Sequence, residues 1–156
     1  MDAFASEDLH MAQVIAQASA LREMSPPRAT PLVGARVAAG FPSPADDFLE
    51  EGLDLHKLLV RRPAATFFVR VTGESMRQAG ILPGDILVVD RSVEPADGRI
   101  VIAVVDGELT VKRLRRRSGR VTLEPENPEF PPLEITESME SAVWGVVTAC
   151  IHRYGG

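Results

Sequence analysis

Apolar and polar positions change period along the chain, and the changes divide it. Met11, Val14, Ile15, Ala18 and Leu21 recur at helical spacing, which predicts a short amphipathic helix near the N-terminus. Ser25-Pro26-Pro27 ends it, because proline cannot continue a helix and restrains the residue before it. From Arg28 to Pro44 the chain is rich in Pro, Ala and Gly with little periodicity, and reads as an exposed, extended arm. Two helix starts follow. Ser43 with Pro44 and Asp46 opens a helix that Gly52 would end, and Asp54 caps a second before Leu55, Leu58 and Leu59, closed by Pro63.

Beyond Pro63 the pattern is that of strands: Thr66 to Thr72, Ile86 to Asp90, Arg99 to Val105, Glu108 to Leu114, Arg120 to Glu124 and Val143 to Ile151. Asp106-Gly107 predicts a two-residue hairpin, since a type I′ turn needs the positive φ that glycine tolerates. Ser118-Gly119 predicts the next. The fold class is therefore mainly β: a compact, twisted antiparallel domain from about residue 46 to 156, with a few short helices, behind an extended N-terminal arm of residues 1–45.

Composition narrows the function. The 156 residues are 45% hydrophobic and 25% charged, enough to bury one core. A formal net charge of -5 disfavours a surface devoted to coating nucleic acid. No apolar run approaches the roughly 20 residues of a membrane span, and Met1-Asp2-Ala3-Phe4 lacks the basic start of a signal peptide, so a cytoplasmic, membrane-free protein is expected. The lone Cys150 excludes an internal disulfide and reads as a small buried hydrophobe. His10, His56 and His152 stand far apart with no ligand spacing, so neither metal nor cofactor is expected.

Ser75, in the glycine-flanked turn Gly73-Glu74-Ser75-Met76, and Lys112, in the strand Leu109-Thr110-Val111-Lys112-Arg113-Leu114, are the candidate chemistry. Either alone is unremarkable, as a turn serine or a surface lysine. Alternation sets Thr110 and Lys112 opposite Leu109 and Val111, on a face that can line a cleft.

Read together with Gly84-Asp85, Asp106-Gly107-Glu108 and Ala38-Ala39-Gly40-Phe41-Pro42-Ser43-Pro44, these motifs resemble the LexA/UmuD class of self-cleaving serine-lysine peptidases, peptidase family S24, and its UmuD branch above all. The likeness runs from about Val37 to Thr148. It implies that Ser75 is the nucleophile, that Lys112 is its base, and that the bond cut is Ala39-Gly40 in the chain's own arm. It further implies an SOS-response role: a homodimer whose cleavage is assisted by a RecA filament on single-stranded DNA. The shortened product would serve the catalytic subunit of a Y-family translesion polymerase, UmuC-like, with the replicative sliding clamp as a further partner. Whether the arm is cut in its own subunit or in its partner stays open.

The chemistry suits the residue types. A serine hydroxyl needs a base within about 3 Å. Lysine serves only when neutral, and burial favours that form. Lowering its pKa from about 10.4 toward 7 or 8 corresponds to roughly 3 to 5 kcal/mol. Backbone N–H groups of Ser75 and its neighbours would form the oxyanion hole. The small Ala38, Ala39 and Gly40 suit a tight cleft, and Pro42 and Pro44 favour extended backbone before them.

Only 39 residues precede Gly40, too few for the DNA-reading domain of a LexA-type repressor. Two rival readings are a non-cleaving dimeric interaction module and a repressor-type S24 protein lacking its DNA-binding domain. The basic run Arg113 to Arg120 reads either as a solvated hairpin tip or as a contact for DNA or an acidic partner. Trp144 reads as core or dimer interface.

Overall fold

The computed structural model describes residues 30–33, 49–136 and 141–155. The expected helix over Met11 to Leu21 and the Ala39-Gly40 bond lie outside them. The chain folds as mainly β. Strands β1 (Thr30–Val33) and β2 (Leu49–Leu53) form one antiparallel pair, and helix α1 (Leu55–Leu59) follows. Seven strands then make a single antiparallel sheet: β3 (Thr66–Arg70), β4 (Ile86–Asp90), β5 (Ile100–Val105), β6 (Glu108–Arg117), β7 (Arg120–Glu124), β8 (Leu133–Ile135) and β9 (Ser141–Ile151). Their spatial order is β3-β4-β9-β5-β6-β7-β8, so the last strand in sequence sits in the middle of the sheet.

The local signals after Asp54 act as expected. The Asp54 carboxylate accepts from the Lys57 N–H at 3.1 Å and starts α1. Asp106 and Gly107 both take positive φ, 48° and 81°, and Val105 pairs with Glu108 across them. Ser118-Gly119 closes the β6–β7 hairpin in the same way.

One reading needs correction. The helix expected from Ser43 to Gly52 is not formed where the structure describes it, because Leu49–Leu53 is a strand. Its partner is Thr30–Val33, within the arm read as extended. Ser-Pro and the acidic residues that follow are legitimate helix-start signals, but pairing with the β-branched Thr30 and Val33 satisfies the backbone from outside the segment.

Alternation along β5 divides the core. Ile102 joins Val71, Met76, Ile81, Leu87 and Val89 in one buried cluster, while Val101 and Ala103 join Leu114, Leu123 and Val146 in another. Trp144 is half-buried at the rim of the first, with its ring 5.3 Å from that of Phe67 and the Arg91 guanidinium 4.9 Å above it. The first cluster matters for function, because the loop between β3 and β4 supplies half of it. Among the described residues no helix is long and apolar enough to cross a membrane.

Candidate active site

The loop joining β3 to β4 carries Ser75. Its neck is closed by two backbone bonds, Val71 N–H to the Asp85 carbonyl and Gly84 N–H to the Val71 carbonyl, both 2.8 Å. Inside, Gly73 adopts φ 80°, a conformation that disfavours any residue with a Cβ, and this turns the chain back over the sheet. Met76 is only 1% exposed and anchors the turn in the core. Burying a side chain of that size is worth about 1.5–3 kcal/mol. Ser75, the residue before it, is therefore held at the surface of the core, partly buried.

Lys112 arrives from β6, where it stands opposite Val101 near the centre of the sheet. Its Nζ lies 2.9 Å from Ser75 Oγ, 2.9 Å from Thr110 Oγ1 and 3.0 Å from the Val111 carbonyl oxygen. These three oxygens suit both forms of the amine. A neutral amine donates twice and accepts the serine proton, whereas an ammonium donates to all three. A proton can thus move from Oγ to Nζ with no change in the surrounding contacts. Burial pushes the Lys112 amine below its ordinary value, and among the described residues no carboxylate pairs with it to oppose that shift.

Beside Ser75 opens a cleft of about 290 Å³ that mixes apolar walls (Val69, Val71, Leu87, Ile102, Leu109 and Val111) with the polar Arg70, Thr72 and Thr110. It can take a short stretch of extended chain, and Leu109, half-exposed, forms part of its rim. Among the described residues, the backbone N–H groups of Ser75 and Met76 make none of the turn's backbone hydrogen bonds.

The structure brings together the two residues picked out by motif, Ser75 and Lys112, and adds Thr110 as a third contact on the amine. Alternation had set Thr110 beside Lys112, but nothing local marked it as a partner. Among the described residues histidine stands apart: His152 is bonded to Asp85, and His56 is exposed on α1. Among the described residues no group of Asp, Glu, His and Cys side chains is arranged to hold a metal ion.

The basic run is largely absorbed by the fold. Arg113 pairs with Glu126, Arg115 with Glu124 and Arg120 with Glu134, while Arg116 donates to the Pro95 carbonyl. Three of its five arginines thus have a carboxylate partner.

Ser75 and Lys112 thus meet beside a cleft, on a sheet that leaves the serine partly buried and the amine shielded from water. The family model described as Peptidase S24-like matches residues 31–148, and the chain belongs to that family. It is similar to Protein SamA of Salmonella typhimurium, 51% identical over 132 residues that cover 84% of this chain and 91% of SamA. Protein ImpA of Escherichia coli is 54% identical over 125 residues, covering 79% of this chain and 83% of ImpA. The LexA repressor of Bordetella pertussis is 43% identical over 122 residues, which span 78% of this chain but 55% of the repressor. Within the family the chain is UmuD-like.

Proposed function

We propose that the chain is an autopeptidase that cuts its own Ala39-Gly40 bond with Ser75 as nucleophile and Lys112 as base. What carries this reading is the 2.9 Å approach of Lys112 Nζ to Ser75 Oγ in a site where burial favours the neutral amine. Lys112 takes the Oγ proton as Oγ attacks the Ala39 carbonyl carbon. The carbonyl oxygen gains the negative charge and is met by backbone N–H groups of Ser75 and its neighbours in the turn. As the C–N bond breaks, the Lys112 ammonium returns the proton to the Gly40 amine. Water, deprotonated in turn by Lys112, attacks the acyl carbon, and the ammonium returns that proton to Ser75 Oγ as the ester C–O bond breaks.

The cleft supports the choice of bond, since Ala38, Ala39 and Gly40 present little side chain to be accommodated beside Ser75. In this reading the protein acts in the SOS response as a homodimer. A RecA filament on single-stranded DNA favours the conformation in which the arm reaches the cleft, and the product from Gly40 onward serves a Y-family polymerase. The test is incubation of the purified chain with and without RecA, single-stranded DNA and ATP, followed by weighing the fragments. Faster release of a fragment beginning at Gly40 in the complete mixture supports the reading. A chain that stays whole in that mixture and at alkaline pH overturns it.

A further inference from the structure

The turn that carries Ser75 is gripped from outside its own loop. The Glu126 N–H donates to the Ser75 carbonyl and the Gln78 N–H donates to the Glu126 carbonyl, each at 2.8 Å. The Asn127 side-chain amide donates to the Glu74 carbonyl at 2.9 Å. Two consecutive residues just past β7 thus hold three points of the turn. Asn127 is itself oriented, because its Oδ1 accepts from the Glu129 N–H at 3.0 Å.

The same segment is tied to the strand that bears the lysine. Arg113 Nε donates to the Glu126 carboxylate, and Arg113 Nη1 donates to the Gly98 carbonyl at 2.7 Å. Both partners of this ion pair are more than two-thirds shielded from solvent, at 23% and 28% side-chain exposure, so water screens it less than a surface pair. Arg113 directly follows Lys112 in β6. One strand therefore holds the amine through one residue and, through the next, the segment that holds the serine turn.

We propose that Arg113, Glu126 and Asn127 are positioning residues that set the separation of Ser75 from Lys112. This rests on the peptidase reading above. None of the three contacts the hydroxyl or the amine. Their effect is geometric: the loop is closed at its neck by two bonds, and beyond Met76 the three bonds from Glu126 and Asn127 fix where Ser75 stands over the sheet. A misplacement of about 1 Å between reacting groups can lower a rate about a hundredfold.

The test uses the full chain, following self-cleavage by mass across neutral to alkaline pH. Asn127→Asp keeps the shape and the acceptor for Glu129 but cannot donate to Glu74. Glu126→Gln keeps an acceptor for Arg113 and removes the charge. Each is expected to lower the maximal rate about tenfold while the pH at half-maximal rate and the thermal midpoint stay near wild type. Amide hydrogen exchange should quicken between Ser75 and Ala79 and stay unchanged in β4 and β9. Wild-type rates in both variants, or slowing accompanied by faster exchange throughout the sheet, would overturn the proposal. A wild-type chain that is never cut would instead overturn the peptidase reading, so the two failures are distinguishable.

Discussion

Thr110 Oγ1 stands 2.9 Å from Lys112 Nζ, two residues away on the same face of β6. The hydroxyl and the Val111 carbonyl together occupy the positions an ammonium would otherwise fill with water, and they aim the amine at Ser75. Thr110→Val preserves the β-branched shape and deletes the contact. The loss of one such bond, about 1 kcal/mol, predicts self-cleavage slower by about five- to tenfold with little change in unfolding midpoint. An unchanged rate would show that the Val111 carbonyl orients the amine by itself.

Asp85 closes the other end of the serine loop. It is almost fully buried, which alone would raise its pKa. Hydrogen bonds from the Leu82 N–H, His152 and Cys150 outweigh that effect and hold the carboxyl below its ordinary value. Asp90 behaves alike, with burial outweighed by Ser92 and Arg62. Groups with depressed pKa stabilise the fold above the ordinary carboxylate range, and that contribution is lost as pH falls through their native values, below 3.8. Urea midpoints should accordingly hold steady at neutral and mildly acid pH and fall steeply below about pH 4. Asp85→Asn should cost about 2 kcal/mol at pH 7 and flatten the acid limb. Parallel acid limbs in variant and wild type would contradict this.

Cys150 is not the buried hydrophobe its neighbours suggested; as a residue it is exposed. Desolvation of the thiol, and then the Asp85 carboxylate 3.3 Å away, push its pKa up to about 11 from 9.0. The thiolate fraction at pH 8 should be about a hundredfold below that of an ordinary thiol, and alkylation by iodoacetamide correspondingly slow despite the exposure. Asp85→Asn should speed it. Rapid labelling of the wild-type chain would refute the carboxylate's influence.

Gly145 crosses β4 closely. A Cβ there would lie 2.5 Å from Val89 Cγ1 and 3.3 Å from Arg91 Cγ, and Val89 is fully buried with no room to move aside. Gly145→Ala should destabilise the domain by about 1–3 kcal/mol, read as a lower urea midpoint. Equal midpoints would mean that β9 shifts freely against β4.

Much of this was legible in the sequence, for reasons that differ by element. The strands after Pro63 were readable because each carries its own apolar alternation, and Asp106-Gly107 and Ser118-Gly119 specify their turns locally. Two strands, Ile86–Asp90 and Arg120–Glu124, have the expected ends. β2 was misread because its strand character comes from Thr30–Val33, well upstream, whereas its local residues favour a helix start. β8 was missed because three residues beside Pro131 and Pro132 carry no period. At the site, Ser75 and Lys112 were found through motif order. Glu126 and Asn127 were not, since their bonds to the serine turn exist only once the sheet has brought them there.

The most direct test of the dyad is the mass of the products after alkaline incubation of wild type, Ser75→Ala and Lys112→Arg, each shown to be folded. Arginine keeps its proton at any accessible pH and cannot act as a base. Wild type is expected to yield a fragment beginning at Gly40, at a rate that climbs with pH as the Lys112 amine, already lowered by burial, loses its proton. Both variants are expected to stay whole. The same fragment released from either variant at the wild-type rate would contradict the assignment of Ser75 and Lys112.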